Sequence, residues 1–197
     1  MTCLVCGIDE AGRGPLAGPV LAAAVILPAD FPADILNDSK KLSEKKRLMA
    51  EQVIKAKALW GIGSASPAEI DEINILRASL LAMKRAFEAM FRQGRAGGPP
   101  ADITALVDGL YCPDISVPCR AVPKADGLFP PVMAASILAK CERDRIMTAY
   151  AALYPAYGYE KHKGYPTAAH REICRRIGPS PVQRMSFAYH SSMFRNA

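Results

Sequence analysis

Three short apolar runs in this chain are each followed, within a few residues, by a carboxylate and then by a glycine. The first run ends at Asp9 and Glu10, the second ends at Asp108, and Asp126 follows the third. Apolar runs of this length are typical of buried strands, and α/β folds place their chemistry at strand ends. The pattern therefore predicts a buried sheet at one edge of which these acids can converge.

The rest of the chain predicts strands that alternate with helices. Ser66, Pro67 and Glu69 form a capping box at the start of the longest apolar helical repeat. We expect strands over residues 3–9, 20–27, 59–64, 103–108 and 115–122, and helices over residues 43–58, 66–93, 131–153 and 167–177. This order of elements indicates an α/β fold, in a single domain over residues 1–197.

The positive charge is concentrated in one part of the chain. Residues 120–197 carry 12 Lys and Arg against 5 Asp and Glu, whereas the preceding residues are nearly neutral, and the net charge is +6. Such asymmetry suggests a polyanionic partner, most often a nucleic acid. A solvated basic surface is the simpler explanation, so charge alone leaves both interpretations open.

Composition excludes several classes of protein. Apolar residues make up 50% and charged residues 22%, which excludes a mostly disordered chain. No stretch approaches the roughly 20 apolar residues of a membrane span, and acids stand where a secretory signal would be apolar. We therefore expect a cytoplasmic protein with no membrane partner. Cys3 and Cys6 have the spacing of a zinc half-site, but no second pair follows, so we expect buried thiols there.

The acids have the chemistry of a metal site. Four carboxylates within a few ångströms repel one another unless cations lie among them, and oxygen ligands suit Mg²⁺ or Mn²⁺ better than Zn²⁺. Two such ions can activate a water and stabilise the leaving oxygen of a phosphodiester. Adjacent strand residues point to opposite faces, so Asp9 and Glu10 both reach one ion only if the strand ends there. Each acid alone is also explained as a turn residue, since Asp before Gly is common in turns.

The ordered set of motifs resembles one family. The segment G-I-D-E-A-G-R-G-P-L-A-G-P-V over residues 7–20 is similar to the N-terminal signature of ribonuclease HII. Further similar motifs lie within residues 38–42, 69–76, 107–109, 124–126, 134–145, 164–170 and 179–187, so the similarity covers nearly the whole chain. Two positions depart from the family pattern: Pro166 stands where glycine is frequent, and Gln183 stands where histidine is common.

The resemblance implies a ribonuclease H-like α/β fold, with a central five-stranded mixed sheet flanked by helices. It implies a helical, basic, substrate-binding part over about residues 153–197. It implies an endonuclease that hydrolyses the RNA strand of RNA–DNA hybrids and incises 5′ of single ribonucleotides embedded in duplex DNA. The products would carry 3′-hydroxyl and 5′-phosphate ends. Both substrates are expected partners, and we expect the protein to be a monomer.

The resemblance also assigns roles to particular residues. It implies that two Mg²⁺ or Mn²⁺ ions are held by four catalytic acids: Asp9, Glu10, Asp108 and Asp126. It implies that the 2′-hydroxyl and a nearby phosphate are contacted by Gly12, Arg13 and Gly14. Tyr165 would stack beneath the sugar. The remaining implied contacts, to backbone phosphates, are those of Ser39, Lys40 and Lys140.

Without the resemblance, some of these residues have simpler explanations. Arg13 is then a loop cation, Tyr165 a packed surface aromatic, and His170 a solvated or capping residue of a helix. Three rival functions also remain: a nuclease of the same fold with another substrate, a non-catalytic nucleic-acid-binding module, and a metal-dependent phosphatase for small substrates. Cleavage of an all-DNA duplex favours the first and binding without cleavage favours the second, whereas tight duplex binding argues against the third.

Overall fold

The computed structural model describes residues 4–39, 41–92 and 102–187. Within them the chain forms five strands: β1 Leu4–Ala11, β2 Val20–Ile26, β3 Leu59–Ala65, β4 Ile103–Asp108 and β5 Cys119–Val122. It also forms five α-helices: α1 Glu44–Lys57, α2 Pro67–Arg92, α3 Pro130–Leu153, α4 Tyr159–His162 and α5 Ala168–Ile177. In this described part of the chain, no helix is both long and apolar enough to cross a membrane.

The strands form one mixed sheet in the order β3-β2-β1-β4-β5, which confirms the predicted architecture. β2 pairs antiparallel with both β1 and β3, whereas β1, β4 and β5 run parallel. In the central parallel pair Ile8 lies beside Val107, so Asp9 and Asp108 follow at the same edge of the sheet. Every residue of β2 is buried, because helices cover both faces of the sheet.

The helices approach the sheet closely. α2 packs on the face that includes Ile8, and α1 and α3 pack on the face that includes Ala23. The approach of α2 requires glycine in β3, since a Cβ atom on Gly63 would lie 2.3 Å from the carbonyl oxygen of Ala82. The sheet edge that carries the acids is therefore fixed between two helical layers.

α2 begins as predicted but is interrupted at Asn74. The capping box is present, with the Glu69 N–H donating to Ser66 Oγ at 3.2 Å and the Ser66 N–H donating to Glu69 Oε2 at 2.8 Å. Asn74 has φ 67° and ψ 164°, and its Oδ1 accepts the N–H groups of Leu76 and Arg77 at 3.0 and 3.1 Å. The asparagine side chain thus caps the second half of the helix, which a continuous apolar repeat does not reveal.

The last strand is shorter than predicted, because it begins at Cys119 rather than at Ile115. Pro118 directly precedes it and has no N–H to donate, although its carbonyl accepts the N–H of Ala105 at 2.8 Å. Ile115 and Val117 pack on the core from the preceding loop. The prediction that these apolar residues pack on the core is confirmed, whereas the prediction that they belong to the strand is wrong.

The described residues of the C-terminal part, 153–187, contain the helices α4 and α5, as predicted, and pack against the loop that follows β1. Thr167 Oγ1 accepts the N–H of His170 at 3.2 Å and begins α5. Ala17 in the loop forms an isolated antiparallel bridge with Gln183, and Tyr159 is buried in the same apolar cluster as Ala17. The C-terminal part therefore determines where the loop after β1 lies.

Candidate active site

Three carboxylates meet at the edge of the sheet. One oxygen from each of Asp9, Asp108 and Asp126 lies within 4.8 Å of the others. Asp9 lies in β1, Asp108 is the last residue of β4, and Asp126 lies in a 3₁₀ turn over Ala125–Gly127. The structure thus brings together three of the four acids that the sequence singled out, and we call these three residues the acid triad.

A turn after β5, rather than a strand end, carries Asp126. β5 ends at Val122, and Lys124 adopts a left-handed φ of 61° that reverses the chain. The N–H of Ala125 then donates to Asp108 Oδ1 at 2.8 Å, which ties the turn to the end of β4. β5 thus ends at Val122 as predicted, and Asp126 follows it in the turn. Its place beside Asp108 agrees with the expected convergence of the acids.

Asp9 is buried against α3. The hydroxyl of Ser136 hydrogen-bonds to the Asp9 carboxylate and lies 2.9 Å from the hydroxyl of Ser39. Burial, together with the nearby charge of Glu10, raises the pKa of Asp9 well above its usual range despite that hydrogen bond. A cation beside Asp9 would offset both effects, because it would stabilise the ionised carboxylate.

Glu10 lies outside the acid triad. β1 continues to Ala11, two residues beyond the predicted end, so the side chains of Asp9 and Glu10 alternate across the strand. Glu10 Oε1 lies 3.5 Å from Arg13 Nη1, while Oε2 is buried with no hydrogen-bond partner among the described residues. Burial raises the pKa of Glu10; the charge of Arg13 opposes that shift and the charge of Asp108 adds to it.

These acids fit divalent cations with oxygen ligands. The close carboxylates of the acid triad repel one another, and a buried carboxylate oxygen without a donor is unfavourable. Bound Mg²⁺ or Mn²⁺ would relieve both conditions, since hard cations prefer such ligands. The arrangement is therefore suited to metal-assisted hydrolysis.

The segment Gly12-Arg13-Gly14 directly follows β1 and lies against Tyr165. Gly12 has a left-handed φ of 100°, and a Cβ atom there would lie 2.1 Å from Arg143 Nε, so the position requires glycine. Arg13 and Gly14 are exposed, and a Cβ atom on Gly14 would lie 3.9 Å from Tyr165 Cε1. The structure thus brings the predicted ribose-contacting segment and the predicted stacking residue together.

Tyr165 is 42% exposed although its backbone is firmly held. Its N–H donates to the carbonyl of His162 at 2.8 Å, and its own carbonyl accepts the N–H of Thr167 at 2.8 Å. Pro166 lies between these bonds and takes part in neither, so this departure from the family pattern leaves the turn closed. The guanidinium carbon of the buried Arg143 lies 5.7 Å from the ring centroid of Tyr165.

His170 is buried, so the expectation of a solvated residue is wrong. Its ring stacks on that of His162 with 4.3 Å between centroids, and its Nδ1 lies 3.0 Å from the carbonyl oxygen of Tyr165. A carbonyl oxygen can only accept, so Nδ1 carries the proton. The histidine supports the turn that presents Tyr165, and Thr167 rather than His170 caps α5.

The three predicted phosphate contacts have different surroundings. Ser39 is buried, and its hydroxyl is bonded to that of Ser136. Lys140 Nζ lies 2.6 Å from Asp144 Oδ1, one turn along α3. Lys40 lies outside the described residues. Contacts between these three residues and phosphates stay predictions.

Two buried arginines beneath the loop after β1 were not assigned a role from the sequence. Arg143 and Arg184 are almost fully buried, and their side chains donate to the carbonyl oxygens of Gly12, Arg13, Ala17, Gly18, Pro19 and Lys163. Burial lowers the pKa of both guanidiniums. Both lie in segments similar to the family motifs, but nothing local in the sequence indicates their burial, because arginine is usually solvated.

A mixed sheet with carboxylates gathered at the ends of its parallel strands is the arrangement of ribonuclease H-like proteins, and solved structures agree with that class. The ribonuclease HII of Archaeoglobus fulgidus, solved in a complex with PCNA, matches with a TM-score of 0.74 and 25% identity, covering 98% of both chains. The ribonuclease H2 of Pyrococcus horikoshii has the same fold, with a TM-score of 0.71 and 24% identity over 96% of both chains.

Sequence comparison identifies the family within this class. The family model described as Ribonuclease HII matches residues 6–190. Ribonuclease HII of Dechloromonas aromatica is 53% identical over 185 residues, covering 93% of this chain and 90% of the relative. Ribonuclease HII of Treponema denticola is 52% identical over 193 residues, covering 93% of this chain and 98% of the relative. The chain belongs to the ribonuclease HII family, and it is therefore a hydrolase, an endonuclease of the ribonuclease H type.

Proposed function

We propose that this chain hydrolyses the RNA strand of RNA–DNA hybrids and incises 5′ of single ribonucleotides in duplex DNA, leaving 3′-hydroxyl and 5′-phosphate ends. One observation carries the proposal: a carboxylate cluster adjoins a candidate ribose site. β1 supplies Asp9 to the acid triad and then leads directly into the Gly12-Arg13-Gly14 segment, which lies against Tyr165. If that segment holds a ribose, the phosphodiester beside the ribose would lie next to the carboxylates of the acid triad.

The proposed metal ligands are the acid triad and Glu10, which would hold two Mg²⁺ or Mn²⁺ ions. Such ions, when bound, lower the pKa of an attacking water and stabilise the departing 3′ oxygen. The chain's own contribution is to hold the carboxylates in position. Ser136 holds Asp9 through its hydroxyl, and Ala125 holds Asp108 through its N–H.

The Gly12-Arg13-Gly14 segment is the proposed contact for the 2′-hydroxyl. Glycine allows the backbone to approach the sugar closely, and this hydroxyl is the local feature that separates RNA from DNA. The exposed ring of Tyr165 offers a flat apolar face beside Gly14 on which the sugar can stack. Together they would hold a ribonucleotide with the phosphodiester on its 5′ side at the acids.

The duplex backbone would lie along the basic C-terminal part. Most of the excess positive charge is in residues 120–197, and the C-terminal segments share a core with the loop after β1, which supports a single catalytic domain. Lys40 and Lys140 remain proposed phosphate contacts. The hydroxyl of Ser39 is better placed to orient Ser136, and through it Asp9. Phosphate contacts carry no sequence information, so little sequence preference is expected.

Binding to duplexes is expected to weaken steeply as salt rises. Each neutralised phosphate adds about −0.9 to the slope of log K against log salt, so a few contacts weaken binding roughly ten- to hundredfold between 50 and 200 mM salt. Fluorescence anisotropy with EDTA present measures this without cleavage. An all-DNA duplex should show the same slope, because its phosphates are the same. A flat response would contradict the proposed duplex surface.

A further inference from the structure

The side chain of Arg184 donates three hydrogen bonds to the loop after β1, and its guanidinium lies over the ring of Phe187. Its Nη2 donates to the carbonyl of Gly12 at 2.6 Å, its Nη1 to that of Arg13 at 3.1 Å and its Nε to that of Gly18 at 2.8 Å. Its backbone N–H donates to the carbonyl of Leu16 at 2.8 Å. A planar fork that is bonded on three sides has one orientation, so these carbonyls are fixed relative to one another.

Arg143 connects the same loop to the turn that bears Tyr165. It donates to the carbonyls of Ala17 at 3.1 Å, Pro19 at 3.3 Å and Lys163 at 3.0 Å. Its guanidinium also lies 5.7 Å from the ring of Tyr165. The two arginines together fix the loop and its neighbouring turn as one unit.

Packing alone does not account for these two residues. Arg184 and Arg143 are 0% and 1% exposed, and neither forms an ion pair with a carboxylate of the described residues. Burying a cation without an anion is costly, so the hydrogen bonds to carbonyls must offset that cost. An apolar side chain would avoid the cost of burying a charge, but it would leave the carbonyl oxygens of the loop without these donors. The two arginines are therefore retained for the hydrogen bonds that they donate to the loop.

The geometry of the peptide bond shows what those bonds determine. In a trans peptide the C=O and the following N–H point in opposite directions, and the described chain has no cis peptide bond. Arg184 draws the carbonyls of Gly12 and Arg13 inward, so the N–H groups of Arg13 and Gly14 must point outward. Both residues are exposed, and neither N–H donates to an atom of the described residues. Consecutive outward N–H groups are suited to bind an oxygen of a ligand.

We propose that Arg184 is a positioning residue of the ribose site, whose guanidinium orients the N–H groups of Arg13 and Gly14 toward the 2′-hydroxyl. This inference rests on the proposed function of the Gly12-Arg13-Gly14 segment. Arg184 acts through the backbone of Gly12 and Arg13 and does not touch the substrate. Discrimination between RNA and DNA therefore depends on a side chain buried beneath the loop.

The test compares binding of two duplexes that differ by one hydroxyl. The dissociation constants of a DNA duplex with one ribonucleotide and of the all-DNA duplex are measured in EDTA for the wild type and for Arg184→Lys. Lysine keeps the charge but cannot bond three carbonyls at once. The wild type should prefer the ribonucleotide about tenfold, the equivalent of one or two hydrogen bonds. Arg184→Lys should bind both duplexes equally, with its affinity for the all-DNA duplex unchanged.

Ser186→Ala is the matched control. Ser186 lies two residues after Arg184, and its hydroxyl donates to Asp71 Oδ1 at 2.6 Å, so this variant loosens the same segment without touching the loop. It should keep the tenfold preference. A preference that survives in Arg184→Lys, or one lost equally in Ser186→Ala, would overturn the positioning role. A wild type without any preference would instead refute the proposed function of the loop.

A measurement on the wild type keeps the inference testable if Arg184→Lys does not fold. Backbone ¹⁵N relaxation should show the N–H groups of Arg13 and Gly14 to be as rigid as those of β1. The Nε–H of Arg184 should exchange slowly with solvent, because it is buried against the Gly18 carbonyl. Fast motion at Arg13 and Gly14 with rapid exchange at Arg184 would refute the positioning role.

Discussion

Replacing Asp9 with asparagine is expected to reduce hybrid cleavage by at least about 100- to 1,000-fold, the effect typical of removing one preorganised electrostatic group. Asp9 belongs to the acid triad, and an amide lacks the negative charge that a divalent cation requires. The variant should still fold, because asparagine is nearly isosteric and can accept the Ser136 hydrogen bond. Single-turnover cleavage with Mg²⁺ measures the loss. Asp114→Asn is the control, since Asp114 is an exposed acid paired with Lys84.

The same variant separates a metal ligand from a merely structural acid. Without divalent ions, Asp9→Asn should melt roughly 2–4 °C higher than the wild type. The substitution removes a buried negative charge from a cluster of carboxylates that repel one another, and we expect this to stabilise the fold by about 1 kcal/mol. Added Mg²⁺ should raise the melting temperature of the wild type by mass action and that of the variant much less. Full cleavage by Asp9→Asn, or equal stabilisation of both proteins by Mg²⁺, would contradict the assignment.

Replacing Tyr165 with alanine is expected to lower kcat/KM on a duplex with one ribonucleotide about 10- to 100-fold, the loss that follows if the sugar gains as much from the ring as a stacked base does, about 1–3 kcal/mol. The ring is 42% exposed beside Gly14, so its removal opens no core cavity and the melting temperature should change little. Cleavage assays under subsaturating substrate measure the loss. The acid triad is untouched, so the metal-dependent stabilisation described for the wild type should persist.

Tyr165→Phe is the matched variant because it keeps the ring and removes the hydroxyl. It should retain most of the activity if the sugar stacks on the ring face. Equal losses in the alanine and phenylalanine variants would assign the effect to the hydroxyl and contradict stacking. Unchanged activity in both the alanine and the phenylalanine variant would contradict a role in substrate binding and would leave Tyr165 as a packed surface aromatic.

Much of the fold could be predicted because its strands and helices are locally encoded. The apolar runs before Asp9 and Asp108 are buried strands, and the capping box at Ser66 begins α2 as expected. The errors arise where one residue overrides a regular pattern. Asn74 interrupts a helix whose apolar spacing is continuous, and Pro118 delays a strand whose apolar character begins earlier.

The chemical groups of the site were predictable to a greater extent than their supports. Asp9, Asp108 and Asp126 converge as expected. Asp9 and Asp108 share an edge because their strands are parallel neighbours, and the turn after β5 brings Asp126 to the same edge. Arg184 could not have been found, because its partners are backbone carbonyls whose directions depend on the complete fold.

Exposed and buried histidines cannot be told apart from helical spacing alone, and His170 illustrates this. Its burial depends on the stack with His162 and on the turn that bears Tyr165. Ser39 is similar, since its partner Ser136 lies 97 residues away in the chain. Contacts of this kind are made by tertiary packing, and no local pattern records them.

Cleavage of a labelled DNA duplex that contains one ribonucleotide, beside an otherwise identical all-DNA duplex, tests the central claim most directly. Both are incubated with the wild type and Mg²⁺ or Mn²⁺, and the products are sized and their ends identified. We expect a single cut on the 5′ side of the ribonucleotide, with 3′-hydroxyl and 5′-phosphate ends, and an intact all-DNA duplex. Equal cutting of both duplexes, or no cut in either, would contradict the proposal that the acids and the 2′-hydroxyl contact form one site.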